Sequence, residues 1–377
     1  MVLTRRRACE GMLAAVAAPT LVRAAEGDIV VGQVGPFTGI PVPDAPQLNQ
    51  GIKACFAQIN ERGGIAGRRL AFFEVDDTYS ADGFAKGFTL AMQRKPVALL
   101  DPVGSAALKR MLDDKLLDQS DVIVLNAIPG AEALRNPGHP KLFHIRAGDR
   151  QQIEKIVQQA VTLGVSELAV LHQNIVIGTS GLAMAKAAAS ATGKLKVMPF
   201  EATAEIPSLQ AAARSVAKSG AKAVLVVGAP RFMADGIAQL RAGGGNGQFV
   251  FALSYVPAGL VAKVAGEGAR GVALSQTYPN PLGIATPLQR EFQTAMKQSF
   301  PDVTGYTSFH LEGYISARVF AEAARRAKDV TAEQVAKSLR TMGEYDMGGF
   351  RVNFARNNVG SGFVDIGVVN ADGRLVY

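Results

Sequence analysis

Apolar runs of six to eight residues recur along the chain, and the intervals between them carry helical patterning. The runs are "DIVVGQV" (28–34), "LAFFEV" (70–75), "PVALLDPV" (96–103) and "DVIVLNA" (121–127), then "LAVLHQ" (168–173), "LKVMPFEA" (195–202), "AVLVVGA" (223–229), "FVFALSY" (249–255) and "GVALSQ" (271–276). Amphipathic stretches such as Gly51–Asn60 and "SLQAAARSVAKSG" (208–220) fill the gaps. Alternation of this kind predicts an α/β fold with parallel central sheets covered by helices on both faces. The series divides near "KLFHIRAGDRQQ" (141–152), where a helix from Gln151 and a strand at Leu168 open a second set. Two doubly wound, Rossmann-like lobes follow, with a ligand cleft between the carboxyl ends of their strands.

The first strand runs into "VGQVGPFTGIPVPDAPQLNQG" (31–51), a loop of glycine, proline and small residues. Two chemistries compete for it, a phosphate cradle and a ligand-facing loop. No Gly-Lys-Ser or Gly-Lys-Thr closes it, and Gly32, Gly35 and Gly39 lack dinucleotide-fingerprint spacing. The phosphate reading therefore falls, and turn chemistry stands. The glycine-rich "RAGGGNGQ" (241–248) reads as a helix stop ahead of the strand at Phe249.

At 377 residues the chain is long enough for two cores. Its start, "MVLTRRRACEGMLAAVAAPTLVRAA", has a basic head, an apolar stretch from Met12 to Val22 and small residues at Val22 and Ala24. This is the pattern of an export signal cleaved after Ala24, by the general or the twin-arginine route. No later apolar segment is long enough to span a bilayer, so the expected product is a soluble periplasmic protein without membrane insertion. Cleavage removes four arginines and one glutamate and takes the formal charge from +8 to +5. The remaining basic residues are dispersed, which gives no support to nucleic-acid binding. Cys9 leaves with the signal, and Cys55, alone on a helix, reads as a small buried hydrophobe.

No catalytic constellation emerges. His139, His144, His172 and His310 are too scattered for a metal pair, and neither metal nor cofactor is expected. His139 reads as a loop residue and the other three as satisfied polar groups at strand ends or helix faces. Asp76-Asp77 ends a strand, where carboxylates commonly serve turns and the next helix cap; the competing role is an acid–base or metal pair. "GTSGL" lacks the spacing of a hydrolase nucleophile elbow.

The order of segments resembles the type I periplasmic solute-binding proteins of ABC importers, specifically the branched-chain amino-acid (leucine, isoleucine and valine) binding family. The resemblance rests on "GPFTG" (35–39), "INERGGIAGRRLAFFEVDD" (59–77), "DPVGSAALKRMLD" (101–113), "NAIPGAEALR" (126–135), "IGTSGL" (177–182) and "LEGYISARVFAEAARRA" (311–327). It implies two lobes joined by three crossings: residues 26–145 plus 279–345, and 146–278 plus 346–377. The latter part holds a hairpin turning at Asn370-Ala371-Asp372-Gly373. A monomer that closes on a small solute and delivers it to a membrane permease is implied, with no enzymatic activity.

Carried over position by position, the family's ligand contacts fall here on Ser105 with Gly104 and Ala106, a hydroxyl and amides at a helix N-terminus suited to a carboxylate. Ser105 is also the expected helix cap. Ile128 and Gly130 offer backbone where the family also offers a hydroxyl. Ile177 replaces an aromatic residue, and Leu253 falls where the family's glutamate pairs an ammonium, followed by Ser254 and Tyr255. Asp44, and Thr38 beside it in the opening loop, can reach the solute, and Asp44 supplies a negative charge that the Leu253 position lacks. An enclosed ammonium without a carboxylate costs several kcal/mol. The expectation is thus a small polar or anionic solute, an organic or aromatic acid or an amide ahead of a branched-chain amino acid. The competing functions are a soluble sensor for a signalling partner and an exported α/β enzyme using Asp76 or Asp77 with His172.

Overall fold

The computed structural model describes residues 27–39 and 44–377. The expected export signal, its cleavage point and Cys9 lie outside these residues, as do the four residues 40–43 of the opening loop.

Each of the nine apolar runs forms a strand. In the first lobe the sheet is wholly parallel. Its order is β2 (Leu70–Asp76), β1 (Ile29–Gly35), β3 (Ala98–Leu100), β4 (Ile123–Leu125) and β5 (Leu142–Phe143). The short β5 has no apolar run of its own and sits in the segment where the series divides. The second sheet runs β7 (Lys196–Ala202), β6 (Glu167–Gln173), β8 (Ala223–Val227), β9 (Phe249–Ala252), β10 (Ala273–Gln276), all parallel. Antiparallel β13 (Asp365–Val369) and β14 (Leu375–Val376) complete it, turning at Asn370–Gly373 as expected. Numbered within its own lobe, each parallel sheet has the order 2-1-3-4-5. Each therefore has a switch point between its first and third strands, where a crevice opens at the carboxyl ends.

Helices α1 (Asp44–Glu61), α2 (Ala81–Met92) and α3 (Ser105–Asp113) cover the first sheet. They are joined there by the returning α9 (Pro287–Ser299), α10 (Ser308–Arg326) and α11 (Ala332–Thr341). The second lobe carries α4 (Asp149–Thr162), α5 (Val176–Thr192), α6 (Ile206–Lys218), α7 (Pro230–Ala242) and α8 (Ala258–Ala265). The "NERGGIAG" turn ends α1 with Gly63 and Gly64 at φ of 92° and 74°. The Asn60 side chain then clamps the start of β2, accepting from the Leu70 N–H at 2.8 Å and donating to the Leu70 carbonyl at 3.0 Å. Cys55 is buried in this core as a free thiol, and burial pushes its pKa up to about 12.

The C-terminal segment divides between the lobes, contrary to the boundary expected at 346. The hairpin of β11 (Tyr345–Asp346) and β12 (Arg351–Val352) buries Met347, Phe350, Val352 and Phe354 in the first lobe's core. Phe354 meets Phe143 edge-on at 5.7 Å, and Phe350 lies 5.2 Å from Tyr278. These aromatic contacts hold residues up to Phe363 against the first lobe, and only β13 and β14 join the second sheet.

The first lobe depends on one very close helix crossing. A Cβ added at Gly51 of α1 would lie 2.0 Å from the His310 carbonyl oxygen of α10, and one at Gly313 of α10 would lie 2.0 Å from the Leu48 carbonyl oxygen of α1. Both contacts are to backbone, so no rotamer change relieves them. Gly313→Ala should therefore lower stability by about 1–3 kcal/mol or more through overpacking. Urea unfolding checks this, with Gly259→Ala, where the added Cβ meets nothing within 4 Å, as the control.

Candidate functional site

A cavity of about 400 Å³ lies where the two sheets present their carboxyl ends to each other. The first lobe supplies Asp44 and Tyr79, Val103–Ala106 after β3, and Ile128–Ala131 after β4. The second supplies Asp149 and Tyr255, Ile175–Ile177 and Ser180 after β6, and Ala229 and Pro230 after β8. The segments that follow the first and third strands of each lobe flank its switch point, so the topology itself aims them at the cleft. The walls are largely apolar and partly open to water. Val176 is 81% exposed, Tyr79 48% and Ile175 43%, which leaves apolar surface facing water on both lobes.

Eight of the ten positions expected from the sequence line this cavity: Asp44, Gly104, Ser105, Ala106, Ile128, Gly130, Ile177 and Tyr255. Ser105 is the first residue of α3 rather than its cap. Gly104, at φ 103°, occupies the cap position without a side-chain hydrogen bond, so the first amides of the helix have no side-chain partner. At Ile128 and Gly130 the backbone is partly engaged within the protein. The Ile128 N–H donates to the Pro102 carbonyl at 3.1 Å, and the Gly130 carbonyl accepts from the Asp149 N–H at 3.0 Å. Gly130 has to be glycine, since a Cβ there would come within 2.1 Å of the Tyr255 hydroxyl and 2.3 Å of Asp149 Oδ1.

Two positions fall elsewhere. Leu253 is fully buried in the second lobe's hydrophobic core, because it directly follows β9 with its side chain packed inward. Ser254 lies under the cavity, where its hydroxyl accepts from Arg146 Nη2 at 2.6 Å and its N–H donates to Gln152 Oε1 at 3.1 Å. It lines a separate cavity of about 250 Å³ beside Gln276 and Asn280. Thr38 is also spent, since its hydroxyl donates to Asp76 Oδ2.

Asp76 and Asp77 act as backbone acceptors. Asp76 Oδ1 accepts from the N–H groups of Phe37, Thr38 and Thr78 at 2.9–3.2 Å. Burial works against its charge, yet these bonds and the Thr38 hydroxyl hold its pKa below the usual carboxylate value. Burial pushes Asp77 up to about 6 while its Oδ1 accepts from the Tyr79 N–H at 2.8 Å. Together they fix Thr78 and Tyr79, both at positive φ, and so hold the Tyr79 ring at the cleft. The following helix is capped by Ser80 instead. Neither Asp76, Asp77 nor His172 lines the cavity, so that acid–base arrangement is not assembled there. Among the histidines, His310 has partners on both ring nitrogens, whereas Nδ1 of His144 and of His172 has none. No group of three or more metal-ligating side chains occurs among the described residues.

Sequence reasoning missed the polar floor beneath the cleft. Arg146, on the first crossing, and Glu312, on α10, are each 1% exposed and pair at 3.4 Å. Asn126 Nδ2 donates to Glu312 Oε1 at 2.9 Å and to Asp101 Oδ1 at 2.8 Å, and its Oδ1 accepts from the N–H groups of Ile145 and Arg146, both at 3.1 Å. Ser316 donates to Asp101 Oδ1 at 2.7 Å. The Arg146 guanidinium also lies 5.0 Å from the centre of the Tyr255 ring, and the Tyr255 hydroxyl donates to Asp149 Oδ1. Burial raises the Glu312 pKa, with Arg146 opposing. For Arg146 burial acts downward, but Glu312 and the nearby tyrosines hold it above its ordinary value, so it stays charged. Asp101 is raised well above its ordinary value by burial and by Glu312. The "HIRAGD" segment was recognisable as the division between lobes, but nothing in its pattern announces a buried cation.

Removing Arg146 would leave Glu312 buried without its partner. Arg146→Leu should cost about 3–5 kcal/mol in urea unfolding, and adding Glu312→Gln should recover part of the loss because the stranded charge is removed.

The comparisons with known proteins agree with this architecture. A family model described as periplasmic binding protein matches residues 28–373. The extracellular ligand-binding receptor from Verminephrobacter eiseniae ef01-2 is 51% identical, with a TM-score of 0.88 over 93% of this chain and 100% of that one. A substrate-binding periplasmic protein from Ralstonia solanacearum is 29% identical, with a TM-score of 0.82 over 93% and 99%. At 21% identity and a TM-score of 0.82, a possible leucine/isoleucine/valine-binding protein from Rhodopirellula baltica SH 1 shares the fold over 94% and 98%. No curated protein matches the sequence. With its family model spanning nearly the whole chain and two mostly parallel sheets flanked by helices, this protein belongs to the periplasmic binding protein family, a family of exported solute-binding proteins of type I fold.

Proposed function

We propose that this chain is a periplasmic substrate-binding protein that captures a small polar or anionic solute by lobe closure and delivers it to the permease of an ABC transporter. The carrying observation is the interlobe cavity, bounded by the strand ends of both sheets and sized for a single small metabolite. An acidic or carbonyl group on the solute meets the N-terminus of α3, where Ser105 offers its hydroxyl and the first amides lack a capping side chain. The apolar body packs against Val103, Ile128 and Ile177, and closure brings the exposed Val176 and Tyr79 over it. Burying one such side chain fully contributes about 1.5–3 kcal/mol, so closure and capture reinforce each other. Ser254 serves from beneath by fixing Arg146, and Leu253 has no contact role. The chain acts as an exported monomer, matured after Ala24, and makes or breaks no bond in the solute.

The test is thermal unfolding and small-angle scattering of the chain from Ala25 with a panel of amino acids, aliphatic and aromatic carboxylates, and amides. A true solute at about a hundred times its Kd stabilises by about 2.7 kcal/mol, which raises the midpoint by several degrees, and it shrinks the radius of gyration as the lobes close. Binding without compaction, or steady conversion of the bound compound, would overturn the reading.

A further inference from the structure

A second, smaller cavity of about 130 Å³ adjoins the interlobe cavity within the first lobe. Tyr79 and Val103–Ala106 line both, so they form the partition between the two. Asp77, Ser80, Ala81 and Ala107 line the smaller one alone and lie beyond that partition. Gly104 contributes no side chain to it, and a Cβ there would just touch the Tyr79 ring at 3.5 Å. The partition is therefore weakest between Gly104 and Tyr79, where a slender group can pass.

Beyond it stands one unsatisfied acceptor. Asp77 is 0% exposed; its Oδ1 accepts from the Tyr79 N–H at 2.8 Å, but its Oδ2 has no partner among the described residues. The residue is pinned in place, since its N–H donates to the Gly35 carbonyl at 3.0 Å and its carbonyl accepts from the Ser80 N–H at 3.1 Å. The adjacent hydroxyls are spent as well, those of Thr78 and Ser80 both donating to the Asp77 carbonyl, at 2.8 and 3.2 Å. Two helices begin at this cavity, α2 at Ala81 and α3 at Ser105, and bring their positive ends to it. The first is closed by its cap, Ser80 Oγ accepting from the Gly83 N–H at 3.0 Å, whereas the first amides of α3 have no capping side chain. Asp77 Oδ2 thus lacks a donor, and the N-terminus of α3 lacks an acceptor.

We propose that this side cavity is a specificity pocket for a hydroxyl group of the solute, which donates to Asp77 Oδ2 and accepts from the amides at the start of α3. The assignment rests on the reading of the interlobe cavity as the solute site and adds a second compartment to that site. A hydroxyl supplies one donor together with acceptor capacity. An ammonium has donors only, and it would sit against two positive helix ends. A solute with hydrogen at the same place would leave Oδ2 desolvated and unpaired.

The empty protein bears a cost that the hydroxyl removes. Burial, with the Tyr79 N–H opposing and Asp76 adding to it, pushes the Asp77 pKa up to about 6. A folded value above the unfolded one means that the stability Asp77 contributes is present at low pH and is lost as pH rises through about 6. At pH 8 the carboxylate is ionised and Oδ2 is still unmet. Asp77→Asn keeps an oxygen to accept from the Tyr79 N–H but replaces Oδ2 by a donor, so it preserves the turn and reverses the chemistry of the pocket.

The experiment is calorimetric titration of the chain from Ala25 at pH 8 with probes matched in carbon skeleton. These are 4-methylpentanoate, 2-hydroxy-4-methylpentanoate and L-leucine; 3-phenylpropanoate, 3-phenyllactate and L-phenylalanine; and benzoate and 4-hydroxybenzoate. The expected result is that, in at least one set, the hydroxylated member binds about tenfold or more tighter than its parent. Asp77→Asn should bring that ratio to about one, and so should Ala81→Leu, which fills the side cavity and does not line the main one. A purely structural role for Asp77 would instead weaken both members of a pair alike and leave the ratio unchanged. Thermal unfolding of unliganded Asp77→Asn at pH 8 should show a midpoint equal to or above that of the parent protein, because an unmet buried charge has gone. If parent and hydroxylated probes bind equally, the side cavity holds only solvent: the pocket is overturned and solute capture stands. If the amino acids prevail and Asp77→Asn weakens them, or if Asp77→Asn lowers the midpoint by several degrees, the hydroxyl assignment is likewise overturned. If no probe binds, both readings fall.

Discussion

Asn126 holds the two lobes in register. It sits at the end of β4 with φ 65°, a conformation that asparagine tolerates better than most residues. From there its amide donates to Asp101 and Glu312, while its oxygen accepts from Ile145 and Arg146 on the first crossing and from the Tyr278 hydroxyl, at 3.4 Å, on the second. One side chain thus ties a strand end, a helix and two of the connecting segments. The Arg146–Glu312 pair extends the network to Ser254 in the second lobe. A buried ion pair is a poor source of net stability, but a costly one to break. Here it acts as a geometric constraint that fixes the crossings at their base.

That constraint makes the repeated strand order useful. Each lobe has its switch point beside its first strand, and a fixed base keeps the two openings opposed instead of allowing one to slide past the other. The cavity is therefore built almost wholly from segments that follow strands. Rigid sheets set their origin, and a few carboxylates set their shape. Asp76 illustrates this by gathering three backbone N–H groups from the loops after β1 and β2, which makes the Tyr79 wall part of the scaffold.

The fold was largely legible because periodicity reports burial. Nine apolar runs gave nine strands, and the helix-ending "NERGGIAG" turn behaved as glycine chemistry requires. What escaped was what periodicity does not encode. The two-residue β5 is too short to carry a pattern. The hairpin after α11 is apolar enough for either lobe, and only its aromatic contacts with Phe143 and Tyr278 decide which one receives it. Within the site, residue-by-residue transfer puts Gly104, Ser105 and Gly130 on the cavity wall, while Leu253 packs into the core, since a shift of one residue along a strand end moves a side chain from one to the other. Arg146 and Glu312 lie 166 residues apart, and no local signal can pair them.

The remaining asymmetry of the site lies in which polar atoms are left without partners. The Asp101–Asn126–Glu312–Arg146 floor is linked by internal hydrogen bonds but leaves Asp101 Oδ2 and Arg146 Nε without partners, and Asp149 has Tyr255. At the rim, Asp44 Oδ1 has no partner among the described residues, and neither do two of the guanidinium nitrogens of Arg135. Proteins rarely leave buried polar atoms unmatched without a use for them. Had the cleft evolved for stability alone, Asp44 would be an apolar residue continuing the wall of Val103 and Ile128. A carboxyl held there, on a helix locked to its neighbour at the Gly51–Gly313 crossing, lowers the stability of the chain relative to such an apolar residue.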